Sequence, residues 1–304
     1  MASATDLPAA PVAGPDGTAG DALLRYVAEQ YAEMLRQEGR LRTGEADAIH
    51  KMRVSTRRLR SVLASYRKLL PEQPAKQIRA ELKWLAQVLG AARDAQVMRH
   101  RLLELVASQQ DDLVKGPVSA RIDAELTARY AEAAQTVHRE LGAKRYAALV
   151  RELGELLEDP QLTGTASRSA RKVGRRLIRR DLRRLRRRVR KAREENDDAR
   201  RAKIFHEARK DAKRLRYAAE AYVPVGGERA TAMVEAAETV QKALGEHQDS
   251  VVTRELLVWL GAHPGRGGSG FTYGRLHAVE EQQGRAAEQD FRRLWQGFAA
   301  AHGW

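Results

Sequence analysis

One stretch of helix is written twice in this chain, and that duplication limits the fold more than any other feature. His50-Lys51-Met52-Arg53-Val54-Ser55-Thr56-Arg57-Arg58-Leu59-Arg60 is followed by Val62, Leu63 and Tyr66. It returns as His206-Glu207-Ala208-Arg209-Lys210-Asp211-Ala212-Lys213-Arg214-Leu215-Arg216, followed by Ala219 and Tyr222. The offset is 156 residues (206 minus 50), with no slip along the segment. A fold needs apolar spacing to recur, but it does not need His, Arg, Arg/Lys and Arg to recur with it. The repeat therefore implies an internally duplicated helical protein with a two-fold anion-binding surface.

A second repeated element follows each copy. Leu89-Gly90 with Asp94 and Val97 corresponds to Leu244-Gly245 with Asp249 and Val252, at an offset of 155 (244 minus 89). One loop indel accounts for the change. Apolar residues recur at helical spacing throughout, and no strand pattern is visible. Helices are predicted over about 23–42, 45–70, 76–107 (with a bend at Gly90), 118–142 and 143–157. After the break at Asp159-Pro160 and Gly164 the pattern restarts. Further helices are predicted over about 168–195, 203–223 and 228–260, and a last one runs to the C-terminus after a loop, Pro264–Gly270. The expected organisation is a disordered tail over 1–20, a first half over about 21–162 and a second over about 163–304. The fold class is all-α, two similar helical halves packed as one unit.

Composition narrows the partner. The 304 residues carry a formal net charge of +15, with 31% charged and only 5% aromatic residues. An excess of that size points to a polyanion: nucleic acid, anionic membrane or polyphosphate. Cysteine is absent, which excludes disulfides and thiolate metal sites. No stretch approaches the roughly 18 apolar residues of a membrane span, and residues 1–20 lack the features of a signal peptide. A soluble cytoplasmic protein is the expectation.

At 100° per residue, His50, Arg53, Arg57 and Arg60 fall within an arc of about 80° that runs about 15 Å along the axis. Met52, Leu59, Val62, Leu63 and Tyr66 lie on the other side. The second copy sets His206, Arg209, Lys213 and Arg216 against Ala208, Leu215, Ala219 and Tyr222. One face packs and the other presents cations, whose mutual repulsion costs stability unless an anion is bound. Asp94 and Asp249 are candidates to neutralise part of it from neighbouring helices. Guanidinium groups match phosphate oxygens bidentately, and a regular row of them suits a linear polyanion. Neither histidine has a His or acidic partner at i+3 or i+4. Phosphate contact or helix-start packing therefore fits them better than catalysis or metal binding.

The run from Arg171 to Arg193 contains fourteen Lys/Arg and one acid, Asp181. Val173, Leu177, Ile178, Leu182, Leu185 and Val189 thread it at helical spacing, so it is an amphipathic helix. Arg179, Arg183 and Arg187 are candidates to line the same groove as the second motif; a solvated face is the plainer alternative. The glycine loop at 265–270 lacks a P-loop ending, and Trp84, Trp259, Trp295 and Trp304 read as packing or capping residues. With no acidic metal cluster, nucleophile elbow or kinase signature, the chain reads as a non-enzyme without cofactor or metal.

At these residues the chain resembles the CHAD domain family, helical proteins named for a recurring histidine. The resemblance rests on His50 to Arg60, on Trp84-Leu85, Leu89-Gly90 and Arg93-Asp94, on His206 to Tyr222, and on Leu244-Gly245-Glu246-His247-Gln248-Asp249. It covers nearly everything from about residue 21 onward. It implies two similar helical bundles related by a pseudo-two-fold around a basic central channel, and non-enzymatic binding of inorganic polyphosphate, with targeting to polyphosphate granules. It implies that His50, Arg53, Arg57, Arg58 and Arg60 line one side and His206, Arg209, Lys213, Arg214 and Arg216 the other. Lys51, Lys83, Arg93 and Lys210 are secondary candidates. Glu207 stands where the first half has Lys51, so the two sides are not electrostatically equal. No Glu-x-Glu-x-Lys strand of a triphosphate-tunnel domain is present, so the hydrolase activity of that partner domain does not carry over. Weak nucleic-acid or general polyanion binding through 171–193 is the alternative reading.

Overall fold

The computed structural model describes residues 17–45, 47–263 and 270–301, without the side chains of 299–301. The loop predicted at 264–270 lies almost wholly outside the described residues, as do residues 1–16 of the predicted tail. Residues 17–20 belong to the fold: Thr18 and Asp21 form a reciprocal capping box that starts the first helix at Ala19.

The chain is all-α. Its long helices are α1 (Ala19–Arg42), α2 (Ala48–Ser65), α3 (Glu72–Ala107), α4 (Val118–Leu141) and α5 (Lys144–Glu158), then α6 (Ala170–Glu194), α7 (Asp198–Glu220), α8 (Val223–Ala262) and α9 (Gly270–Ala301). Among the described residues there is no strand, only an isolated bridge between Thr18 and Ser169. That bridge brings the starts of α1 and α6 together. The backbone of α3 stays helical through Gly90, where a bend is predicted. The break falls instead in α8, where Gly227 takes φ +55, a value that suits glycine.

Apolar faces explain the packing. Met52, Leu59, Val62 and Leu63 of α2 are fully buried, as are Ala208, Ala212, Leu215 and Ala219 of α7. Each leucine so buried contributes about 2 kcal/mol. On α3 and α8, Ala75, Ile78, Leu82, Leu85 and Leu89 match Ala230, Met233, Ala237, Val240 and Leu244, all buried, at the offset of 155. α2 packs on α1, α3 and α7, and α7 on α6, α8 and α2. One core fills each half, and a third joins α3 and α4 to α8 and α9 through Leu102, Ile122, Leu257 and Leu276. The halves thus share a core and meet along α2 and α7.

Candidate anion-binding site

The polar faces of α2 and α7 come together where the halves meet. Arg53 lies against α3, with Nη2 at 3.1 Å from Asp94. Its counterpart Arg209 lies against α8, with Nη2 at 3.9 Å from Asp249. These arginines lie over Gly90 and Gly245: a Cβ there would stand 3.4 Å from Arg53 Nε, an ordinary contact, and 3.3 Å from Arg209 Nη2, slightly tight. The repeated Leu-Gly element followed by Asp is therefore a seat for an arginine. The guanidinium rests over the glycine, and the aspartate one turn later pairs with it.

Between these seated arginines lie Arg57 and Lys213, which also correspond by the 156 offset. Arg57 Nε donates to the Tyr217 hydroxyl at 3.1 Å, and its guanidinium stands 5.8 Å from the centre of that ring. Neither Arg57 nor Lys213 has a carboxylate partner among the described residues. Burial, and then the charges of Arg57, Arg209 and Arg53, push the Lys213 ammonium down to about 6. Burial also lowers Arg53, with Arg57, Arg209 and Arg93 adding to the effect against the opposing pull of Asp94. Arg60 is lowered by burial and by Arg57, Arg79 and Arg53. Each shift says that positive charge is crowded at one place and incompletely hydrated.

The two histidines sit at the edge of this row. His206 Nδ1 is 2.9 Å from Gln248 Oε1. His50 Nδ1 is buried without a hydrogen-bond partner. Burial and then Arg93, Arg57 and Arg53 lower the His50 pKa, so it is neutral at pH 7. Arg93 occupies the position of Gln248, and its Nη1 donates to Gln96 at 2.7 Å.

Other candidates lie elsewhere. Arg58 Nε is 3.0 Å from Glu220, and Arg214 Nε is 3.3 Å from Asp181. Arg214 also donates to the Ala64 carbonyl at 2.8 Å, and Ser65 donates to Asp181 at 2.9 Å. These two arginines therefore tie the halves together and do not join the row. The reason is angular: a residue one position after Arg57 or Lys213 is turned 100° away from it. Lys51 pairs with Asp47 at 3.8 Å and Lys210 with Glu207 at 2.6 Å, both on the exposed flanks. Arg179, Arg183 and Arg187 face solvent on α6. Two other α6 arginines, Arg184 and Arg188, reach α7 through Asp211, at 2.6 and 3.3 Å. Arg216 is held by Glu220 and Glu238, at 3.0 and 3.1 Å. Lys83 is exposed on α3.

Three participants were not picked out in the sequence. Tyr217, almost fully buried, stands under the guanidiniums of Arg57, Arg58 and Arg216. Arg79 charges the Arg60 end of the row, and Glu220 collects Arg58, Arg216 and the Tyr26 hydroxyl. Arg79 and Tyr217 have no counterpart at their repeat positions, so the duplication gave no signal for them. Of the four tryptophans, Trp295 is buried against Phe291 and Phe298, Arg145 lies over Trp84 at 4.2 Å and Arg129 over the exposed Trp259 at 4.8 Å, and Trp304 lies outside the described residues.

The CHAD domain family model matches residues 25–258 of this helical chain. The chain belongs to the CHAD domain family. Two proteins of Mycobacterium tuberculosis, the uncharacterized proteins Rv2226 (strain H37Rv) and MT2285 (strain CDC 1551), are 32% identical to it over 268 residues. That alignment takes in 88% of this chain and 51% of each relative, so the chain spans about half their length. Among solved structures, the CHAD domain of the plant Ricinus communis superposes with a TM-score of 0.75 at 26% identity, covering 97% of this chain and 96% of that one. PptA from Streptomyces chartreusis shares the fold, with a TM-score of 0.75 at 24% identity over 92% of this chain and 100% of that one. No helix among the described residues of this CHAD domain is long and apolar enough to cross a membrane.

Proposed function

We propose that this CHAD domain binds inorganic polyphosphate, without catalysis, in the seam between α2 and α7. The observation that carries the reading is the central group Arg53, Arg57, Arg209 and Lys213. Three guanidinium groups and the Lys213 amine converge from two helices on one strip, and only Arg53 and Arg209 stand in ion-pair reach of a carboxylate among the described residues. In a water-poor seam such crowding is unfavourable, and a string of phosphates relieves it. Cations recur about one helical turn apart on both sides, which suits a polymer of phosphates better than a single ester. Binding in this form serves recruitment to polyphosphate granules.

The test is calorimetric titration with long-chain polyphosphate at physiological salt, with duplex DNA as competitor. The wild-type protein is expected to bind saturably and to resist displacement by DNA. Changing Arg53, Arg57, Arg209 and Lys213 together to Ala is expected to abolish binding while helicity is retained. Undiminished binding by that folded variant would end the proposal.

One observation favours a second, weaker reading. Arg171, Lys172, Arg175, Arg176, Arg179, Arg183 and Arg187 are all exposed on α6, and no carboxylate pairs with them among the described residues. Such a face attracts duplex nucleic acid by counterion release alone, with affinity that falls steeply with salt.

A further inference from the structure

The two ends of the cationic row are built differently. In the second half Arg216 is clamped by Glu220 and Glu238, at 3.0 and 3.1 Å, and Lys242 adds to Glu238 at 3.6 Å. In the first half the corresponding positions carry no acid: Ala64 stands for Glu220 by the 156 offset, and Lys83 stands for Glu238 by the 155 offset. Arg60, the counterpart of Arg216, is half-buried and has no carboxylate partner among the described residues. Its neighbour is another cation instead. Arg79 lies one turn before Lys83 on α3, its Nε is buried without a hydrogen-bond partner, and its repeat position is Val234. Arg93 likewise stands where the second half has Gln248. Four aligned positions thus differ, and each difference makes the first half more positive.

We propose that a bound polyphosphate chain leaves the centre of the seam on one side only, passing Arg60 and running over Arg79 and Lys83 of α3. The inference rests on the polyphosphate reading and adds a direction to it. At the Arg60 end a phosphate oxygen meets unpaired guanidinium groups. At the Arg216 end the same oxygen meets two carboxylates already engaged with the arginine, and must displace them or stand beside like charge. Arg79 and Lys83 are spaced four residues apart and so share a face of α3, continuing the row off the end of α2. They are binding residues for long chains, and a short chain filling the central cations does not need them.

The experiment is a pair of titrations, with tripolyphosphate and with long-chain polyphosphate, on the wild-type protein, Arg79→Ala/Lys83→Ala and Glu238→Lys. The double variant is expected to lose about tenfold in long-chain affinity while tripolyphosphate binding stays within about twofold. Glu238→Lys, which removes one of the two carboxylates on Arg216 and sets a lysine where the first half has Lys83, is expected to strengthen long-chain binding. The inference is overturned if Arg79→Ala/Lys83→Ala binds long chains as the wild type does or loses both ligands equally, and also if Glu238→Lys gains nothing. A wild-type protein that binds neither ligand is a different result, and removes the polyphosphate reading itself.

Discussion

The seam between α2 and α7 and the outer face of α6 are both basic, but they are basic in different ways. α6 holds more charge, with fourteen Lys/Arg between 171 and 193. Its apolar residues are buried and many of its cations point into water, each hydrated separately. The seam holds fewer cations, but they converge from two helices and are partly withdrawn from solvent. At 4 Å a pair of unit charges interacts by about 1 kcal/mol in water and about 4 kcal/mol at the effective dielectric of a protein surface. Convergence with partial burial therefore outweighs the count of charges. The same difference appears in partners. The α6 arginines turned toward the protein find Asp181 and Asp211, whereas Arg57, Arg60 and Lys213 in the seam have no carboxylate within ion-pair distance among the described residues.

The largest expected effect comes from reversing charge at the centre. Arg57→Glu with Lys213→Glu should weaken polyphosphate binding by about a hundredfold or more, read by calorimetry on a variant whose circular dichroism is unchanged. A loss of only a few-fold would place the site outside the seam.

A proton should travel with the ligand. In the free protein Lys213 titrates near 6, below the ordinary lysine value, so between about pH 6 and pH 10 it is largely neutral when folded and charged when unfolded. The unfolded state then binds more protons, and this residue's contribution to stability rises with pH through that window. A phosphate chain reverses the preference and restores the proton, so affinity should fall as pH rises above about 6, by at most about tenfold per unit. Titrations at pH 7.5 in buffers of different ionisation heat should reveal uptake that Lys213→Arg lacks. Equal uptake by both proteins would contradict the prediction.

The glycine seats give a smaller effect of mixed sign. Gly245→Ala adds helix propensity worth about 1 kcal/mol but crowds Arg209. Thermal stability should not fall, while polyphosphate affinity drops about three-fold, because the Arg209 guanidinium must shift by a few tenths of an ångström. A variant that loses stability as well would show that Gly245 serves packing and not the seat.

The smallest effect belongs to α6. Changing Arg176, Arg179, Arg183 and Arg187 to Ala should alter polyphosphate affinity by no more than about twofold at physiological salt. The same variant should lose most of any low-salt binding to duplex DNA, read by fluorescence anisotropy across a salt series. A polyphosphate loss comparable to that of the seam variants would erase the distinction drawn between the two surfaces.

Much of this molecule is legible without coordinates because helices impose a regular angle. The 100° step shows that His50, Arg53, Arg57 and Arg60 share a face, and the two offsets relate α2 to α7 and α3 to α8. The same step explains why Arg58 and Arg214, drawn into the site by family resemblance, leave it. Their direction is set within the helix, but what awaits them there, Glu220 and Asp181, is set by neighbours far away in sequence. Arg179, Arg183 and Arg187 miss the seam for a similar reason, since the pattern of α6 identifies its apolar side but not which basic flank meets α7.

By itself, then, the sequence determined the class of fold, the duplication and the face on which cations gather, because each follows from spacing along one helix. Only the tertiary structure decided which of those cations are spent. Arg53 and Arg209 rest over glycines beside Asp94 and Asp249, Arg216 is clamped by Glu220 and Glu238, and Arg57, Arg60 and Lys213 have no acid within ion-pair distance among the described residues. Apart from Arg216 with Glu220, four residues apart on α7, these pairings depend on distances of 3 to 4 Å between helices, and a periodicity along one chain carries no information about what stands across the gap.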